Sequence, residues 1–340
     1  MPGGTGLERD GRKVRSFEVA ELAQISRSTV SRALAGDPRI SNSTRERVLA
    51  AAAELGYQPN LIARSLKNQS TGIVGVVVTD LNNPYHAYAL QLLIEKMGAK
   101  RLAPLVFAGN TAEGAEKAIE RLMSYQVDAV IALAAPFTQH IINACLAGSK
   151  PLVLMNRHDG SEPVSAIGGD SFTAGAMVAD LLVSRGGERF AFFGGEDNTT
   201  ISREREQGFS QRLREHGRSV DITVASPYAY DAAREKAHEI LRAGPDAVFC
   251  ANDTLAFALM DAARPTVGMD GMPMIVGYDN SALASRPVYD LTSVDQNLED
   301  MTTRTVDIAL ALASDPERQP VRLTIEPFLV ERASTRPRNS

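Results

Sequence analysis

The run Val19-Ala20-Glu21-Leu22-Ala23-Gln24-Ile25-Ser26-Arg27-Ser28-Thr29-Val30-Ser31-Arg32-Ala33-Leu34 holds two short apolar repeats, Phe17 to Ala23 and Val30 to Leu34, separated by Ile25 and Ser26. Apolar residues at three- and four-residue intervals put one stripe on each of two helices. The short gap packs those helices across a sharp turn. Ser26 is suited to cap the second helix, because its hydroxyl accepts a bond from an otherwise unpaired first-turn N–H. The outer face of that helix begins Arg27-Ser28-Thr29 and continues to Arg32. Arginine's planar fork matches the paired acceptors of guanine and also bonds phosphate. This is the geometry in which a second helix lies in the major groove of DNA. An ordinary helical hairpin with solvated arginines has the same spacing, so the rest of the chain must separate the two.

Working outward, Ala35-Gly36-Asp37-Pro38-Arg39-Ile40-Ser41-Asn42 is turn-forming and ends the second helix. A third helix is predicted from 43 or 44 to 55, closed by Gly56, with Val48, Leu49, Ala52 and Leu55 facing inward. Phe17, Leu22, Val30, Leu34, Val48, Leu49 and Leu55 then form one small core. Residues 1–15, glycine-rich and charged, read as a flexible leader, and 16–58 as the helical domain. A short helix after Pro59, spanning 61–67, is marginal by itself and folds only when something holds it. Together with linker 68–71 it forms either a hinge between domains or an inert connector.

The 340 residues exceed one small core and call for two or three domains. Their apolar and charged fractions, 44% and 23%, are those of a globular chain, which excludes a disordered one. No apolar run approaches the roughly 18 residues of a membrane span, and the charged N-terminus lacks the apolar core of a secretory signal. A cytoplasmic protein is expected. Cys145 and Cys250 are the only cysteines, without metal-site spacing, so neither a disulfide framework nor a cofactor is expected. The net charge of -5 conceals an asymmetry: residues 1–70 hold 11 Arg or Lys against 7 Asp or Glu, a net +4, leaving -9 for the remainder. A basic head on an acidic body suits local attraction to phosphate.

From Ile73 the pattern changes. Ile73-Val74-Gly75-Val76-Val77-Val78 is continuously apolar, and further short apolar runs alternate with helical stretches as far as Val276. Such alternation predicts parallel sheets covered on both faces. Two similar α/β lobes are expected, the first over about 72–166 and 297–320, the second over about 167–292 and 321–330, with 331–340 a flexible tail. Residues 321–330 read as one final strand, placed at an edge by Pro327. Ligands in this architecture sit outside the C-terminal ends of the strands. Polar residues stand at those places: Asp80 and Tyr85, then Asn156 and Arg157, and in the second lobe the run from Asn198 to Arg205, Asn252-Asp253 and Asp279-Asn280. Carboxylates and amides of this kind bond hydroxyls, arginine supplies charged donors, and tyrosine covers an apolar ring face. A sugar, a nucleoside or another small polar ligand fits that set.

The arrangement resembles the lactose-repressor/galactose-repressor transcriptional regulators over nearly the whole chain after the leader. The resemblance lies in Ser26-Arg27-Ser28-Thr29-Val30-Ser31-Arg32-Ala33-Leu34, Gly56-Tyr57-Gln58-Pro59-Asn60, Asn82-Asn83-Pro84-Tyr85, Arg205-Glu206-Gln207-Gly208-Phe209, Ala251-Asn252-Asp253, Val276-Gly277-Tyr278-Asp279-Asn280 and Leu291-Thr292-Ser293-Val294. It implies an all-α helix-turn-helix domain followed by a two-lobed α/β body of the periplasmic-binding-protein type. It implies also a homodimer on double-stranded operator DNA and a small effector, in this family most often a carbohydrate. Arg27 and Ser28 fall on the base-choosing positions, with Thr29 beside them, and Arg32 on a recognition-helix position. Arg39 and Asn60 match positions near the DNA backbone, Leu66 the apolar wedge pressed into the minor groove, and Lys67 a phosphate contact. Arg205, Asn252 and Asp279 match recurrent effector contacts, while Tyr85, Asn156, Arg157 and Asp170 occupy pocket positions; Asp80 and Asp253 join the set from their places after strands. Departures are Arg185-Gly186-Gly187-Glu188-Arg189, where many members have a Gly-His pair, the methionine-containing stretch 267–273, and Asn297, where some sugar-responsive members carry an aromatic residue.

The resulting expectation is a regulator, specifically a repressor, whose operator affinity depends on an effector held between lobes. Rival readings are an enzyme, a solute-binding receptor without sequence-specific DNA binding, and an architectural DNA binder. The enzyme reading lacks a Walker loop, HExxH, GxSxG or a Cys/His cluster. A receptor would need only the body, without the N-terminal head.

Overall fold

The first turn is closed by backbone chemistry. Helix α1, Ser16–Leu22, ends where Gln24 adopts φ 52°. There the Ile25 N–H reaches the Ala20 carbonyl at 3.0 Å and the Gln24 N–H reaches that of Glu21 at 3.1 Å. These paired bonds stop a helix at a left-handed residue. Ser26 Oγ then accepts the Thr29 N–H at 3.1 Å and starts α2, Arg27–Leu34. Helix α3, Asn42–Leu55, is capped by Ser41 and closed by Gly56 at φ 65°, a left-handed conformation that glycine adopts without strain. Val19, Ala20, Ala23, Val30, Ala33, Val48, Ala51 and Ala52 form the buried core. Leu22 and Leu49, expected inside, are 43% and 52% exposed. Each stands about 100° round its helix from the buried stripe, which in α3 runs Val48, Ala51, Ala52 and Leu55.

The computed structural model describes residues 14–34, 37–57, 70–109, 111–134, 138–156, 163–195, 200–268, 271–315 and 317–336. Residues 1–13 of the expected leader, the hinge helix with Asn60, Leu66 and Lys67, Arg157, and Asn198 lie outside the described residues. The chain divides into two units, 1–71 and 72–340.

The second unit begins with β1, Ile73–Val78, then α4, Pro84–Ala99; β2, Ala103–Ala108; α5, Ala112–Ser124; β3, Ala129–Leu133; α6, Gln139–Ala147; β4, Leu152–Met155; and β5, Ser165–Gly169. After α7, Ser171–Ser184, come β6, Phe190–Gly195; α8, Thr200–Glu215; β7, Val220–Ser226; α9, Tyr230–Ala243; β8, Ala247–Cys250; α10, Asp253–Val267; and β9, Met274–Tyr278. The chain closes with β10, Thr292–Asp295; α11, Leu298–Ser314; β11, Arg322–Ile325; and β12, Phe328–Val330. Two six-stranded sheets result, in orders β11-β5-β4-β3-β1-β2 and β12-β10-β9-β8-β6-β7. Strands β1, β3, β4 and β8 are buried almost throughout, as parallel strands covered on both faces must be.

The end of the chain differs from the reading of 321–330 as one strand of the second lobe. Residues 322–325 pair with β5 in the first sheet, whereas 328–330 pair antiparallel with β10 in the second. Pro327 has no N–H for a ladder, and the chain changes sheets there. Strand β5 likewise belongs to the first sheet, beyond the expected boundary at 166. The chain therefore crosses between sheets around 170, 296 and 326. Helix α11 returns to the first sheet and buries Leu298, Met301, Val306, Ala309 and Leu312 there. Residues 331–336, expected to be a flexible tail, are ordered by side-chain bonds: Ser334 Oγ accepts the Thr292 N–H at 2.8 Å and donates to the Ile275 carbonyl at 2.6 Å. Among the described residues no helix is long and apolar enough to cross a membrane, and no cluster could hold a metal ion.

Candidate nucleic-acid interface and ligand cleft

In the head, α2 buries Val30 and Ala33 and leaves Arg27, Ser28, Ser31 and Arg32 exposed, with Thr29 half-buried. One face anchors the helix and the other presents two guanidinium groups. Ser26 Oγ lies 2.8 Å from both Ser28 Oγ and Thr29 Oγ1, so both hydroxyls are held at the cap. Arg39 is exposed but engaged: its Nε and Nη2 donate to the two Asp37 oxygens at 3.0 and 2.7 Å. That fork holds the Asp37 carboxyl down at about 2. A phosphate reaching Arg39 must therefore displace a carboxylate, a competition that residue spacing does not reveal.

The residues chosen at the strand ends separate into two groups. Arg205, on α8, is buried, its guanidinium carbon 3.5 Å from the centre of the Tyr278 ring and its Nη1 donating to the Ala251 carbonyl at 2.6 Å. Its Nε has no partner. Burial works against its charge, yet Tyr278 and Asp279 hold its pKa above the ordinary value. Asp279 follows β9 and accepts from Gln296 Nε2 at 2.8 Å. Asn252 caps α10 through Oδ1, which accepts the Leu255 N–H at 2.9 Å. Asn156, after β4, is half-buried at φ 57°. Asp80 is exposed and turns its Oδ1 back to the Asn82 N–H at 2.8 Å.

Three expected pocket residues carry bonds or contacts of their own. Tyr85 is buried in the first-lobe core, with its hydroxyl 3.8 Å from Met301 Sδ, and it faces the strand-end group: burial first, then the charges of Asp279 and Asp295, raise its pKa well above the ordinary value while Arg205 opposes them. Asp253 accepts from Ser293 Oγ at 2.6 Å and from the Ser281 N–H at 2.7 Å, one bond on each oxygen. Burial pushes it up to about 6 against those bonds. Asp170 caps α7, accepting from the Thr173 N–H at 2.9 Å and Oγ1 at 2.8 Å.

Two residues absent from the expected set stand against Arg205 and Asp279. Tyr278 provides the face for Arg205, and its hydroxyl lies 3.5 Å from Ser171 Oγ. Gln296 is fully buried, bonds Asp279, and keeps an unpaired Oε1 that a side chain at Gly169 would meet at 3.3 Å. It therefore touches both lobes. Asp279, Asn280 and Asn297 all have positive φ, 109°, 46° and 55°. Non-glycine residues in such conformations cost about 1–3 kcal/mol each and persist where the surroundings hold them.

Burial pushes the Asp279 carboxyl up to about 8, with Asp253 and Asp295 adding to the rise while Arg205 and the Gln296 amide oppose it. The unfolded chain loses this proton near the ordinary value, about 4. Between pH 6 and 8 the folded protein thus binds more protons than the unfolded one, and linkage makes stability fall as pH rises through that window. Asp279→Asn is expected to flatten the fall in melting temperature relative to the unsubstituted chain between pH 6 and 8. Parallel curves for the two proteins would show that Asp279 titrates normally.

A family model described as bacterial regulatory proteins, lacI family, matches residues 17–60, and one described as periplasmic binding protein-like domain matches residues 179–335. The chain is 30% identical over 335 residues to the HTH-type transcriptional regulator CelR of Thermobifida fusca, covering 93% of this chain and 96% of that one. It is 27% identical over 337 residues to the HTH-type transcriptional regulator DegA of Bacillus subtilis (strain 168), covering 96% and 100% respectively. Among solved structures it is similar to a transcriptional regulator CelR-cellobiose complex, with a TM-score of 0.71, 27% identity, and coverage of 95% of this chain and 100% of that one.

Proposed function

This chain belongs to the LacI family of bacterial regulatory proteins, helix-turn-helix DNA-binding regulators of transcription, and from that membership we propose that it is a dimeric repressor released from its operator by a carbohydrate. The observation that carries the effector reading is the buried Arg205 guanidinium, stacked on Tyr278 with a partnerless Nε. A buried cation with donors left over, next to an amide and a carboxyl, suits the vicinal hydroxyls of a sugar. The similar structure holding cellobiose supports the same chemical class. Arg205, Asn252 and Asp279 make the principal contacts, with Gln296 behind Asp279.

On DNA, each α2 lies in a major groove of a pseudo-palindromic site, with Arg27 and Ser28 choosing bases, Thr29 beside them and Arg32 steadying the helix. Arg39 leaves Asp37 for phosphate. Asn60 and Lys67 contact the backbone and Leu66 wedges the minor groove where the paired hinge segments fold. The effector acts by favouring one arrangement of the two lobes over the other, since a ligand without preference shifts nothing.

The test is selection of genomic DNA fragments by the purified full chain, followed by titration of the recovered site with cellobiose and other mono- and disaccharides. One enriched palindrome whose affinity falls with a sugar is expected. Ligand binding without any enriched sequence would replace this reading with a receptor. Arg27→Ala should weaken the selected operator by about 1–3 kcal/mol and relax preference at one base pair in each half-site. An equal loss on random duplex would make Arg27 a phosphate contact instead.

A further inference from the structure

Residues 331–336 follow the last crossing between sheets and return to the ligand loop from behind. Arg332 Nη2 donates to Asn280 Oδ1 at 2.7 Å, while its Nη1 donates to the Leu291 carbonyl at 2.6 Å. The other end of that Asn280 amide donates to Asp295 Oδ2 at 2.8 Å, and Asp295 Oδ1 accepts the Asn297 N–H at 2.7 Å. Next in the chain, Gln296 donates to Asp279 at 2.8 Å. A ring closes: Asp279 and Asn280 are neighbours in the loop after β9, Asp295 and Gln296 are neighbours in the segment leading to α11, and Arg332 fastens it from outside.

The ring contains three left-handed non-glycine residues, Asp279, Asn280 and Asn297. Such conformations need to be held by their surroundings. Inside the second lobe, Asn280 is held through its own N–H, which donates to Ser293 Oγ at 3.0 Å. Its side chain is oriented by Asp295 on one end and Arg332 on the other. Asparagine's two amide ends accept and donate respectively, so the Arg332 donor fixes which end faces Asp295.

We propose that Arg332 is a positioning residue of the ligand cleft: by fixing the Asn280 amide against Asp295, it keeps Gln296 against Asp279 and so aims the Asp279 carboxyl at the ligand. The proposal rests on the reading of Asp279 as an effector contact. A purely structural tail would act instead through Ser334 and Thr335, whose hydroxyls bond Thr292 and the Ile275 carbonyl.

The experiment uses the full chain with aspartate carboxyl carbons labelled for NMR, the Asp279 signal being assigned by its absence in Asp279→Asn, and the proton serving as the probe. The unsubstituted protein should show a midpoint of about 8. In Arg332→Met the midpoint should drop by roughly one unit or more, because a loosened turn admits water to the carboxyl. Loss of a cation alone would move it upward. Amide exchange at 279–281 and 296–297 should accelerate about tenfold or more while 190–195 stay protected. Arg332→Lys, which keeps the charge and loses the fork, should fall between, and Ser334→Ala should match the unsubstituted protein. The proposal is overturned by an unchanged or raised midpoint in Arg332→Met, or by Ser334→Ala giving the same drop. Should Arg332→Met fail to fold, an equal midpoint in Arg332→Lys and Ser334→Ala overturns it. The effector reading fails separately, through an Asp279→Asn protein that binds the effector normally while the Arg332 results stand.

Discussion

Arg205→Met should bind operator as the unsubstituted protein does and no longer release it when effector is added. The guanidinium donates to the Ala251 carbonyl at 2.6 Å and stacks at 3.5 Å on Tyr278, and these anchors hold its remaining N–H groups at the strand ends. Charge-assisted hydrogen bonds contribute about 1.5–3 kcal/mol each. Losing those made to a ligand should weaken effector binding by roughly 3 kcal/mol, a factor of more than 100. Methionine fills similar space without charge, so the substitution exchanges a desolvated cation for an unpaired Ala251 carbonyl and the lobe should remain folded. Asp279 would lose its opposing cation, so its carboxyl would stay protonated beyond pH 8. Fluorescence anisotropy of labelled operator, titrated with effector, checks the result. Release at the effector concentration that serves the unsubstituted chain would remove Arg205 from the site.

The fold is legible in the sequence where burial imposes a pattern and obscure where it does not. Ile73 to Val78 reads as a buried parallel strand because both its faces are covered, and the structure buries five of its six residues. Residues 321–330 carry alternation enough for a strand, but nothing in alternation says which sheet accepts it, and the chain divides at Pro327 between two sheets. The tail is hidden for another reason. Its order comes from hydroxyls and a guanidinium bonded to Thr292, Asn280 and backbone carbonyls, and such residues have the composition of a solvated end. In the cleft, family resemblance points to Arg205 and Asp279, and the two stand together in the structure, each within reach of Tyr278 or Gln296. Tyr278 and Gln296 themselves give no separate signal, because an aromatic at a strand end and an amide before a helix are common as core and cap. Asp253 and Asp170 show what residue order leaves out: acids next to helix starts read as pocket groups, and it does not reveal the helix cap and the buried hydroxyl that they also bond. The Asp37 fork on Arg39 depends on a turn geometry that residue spacing does not specify.

Gly208→Ala is expected to lower stability by about 3 kcal/mol or more and to weaken the effector site together with it. Helices α7 and α8 cross with their backbones in contact at two glycines. A Cβ on Gly208 would collide with the Phe172 carbonyl oxygen and stand 2.8 Å from its carbon, while one on Gly175 would collide with the Arg205 carbonyl and stand 2.7 Å from the Phe209 nitrogen. These are backbone atoms, so no rotamer relieves the contact, and α8 must move bodily away from α7. That movement draws Phe209 from the ring cluster, in which it lies 5.3 Å from Phe249, and carries Arg205 away from Tyr278. Packed interiors leave no space to absorb the shift. Gly98, exposed on α4 with open space where a Cβ would stand, gives the comparison: Gly98→Ala should raise stability by about 0.5–1 kcal/mol through helix propensity alone. Melting curves of the two variants should therefore move in opposite directions, with effector affinity reduced only in Gly208→Ala. A Gly208→Ala protein as stable as the unsubstituted chain would mean that the two helices do not meet as closely as their glycines allow, and the support proposed for Arg205 would have to come from elsewhere.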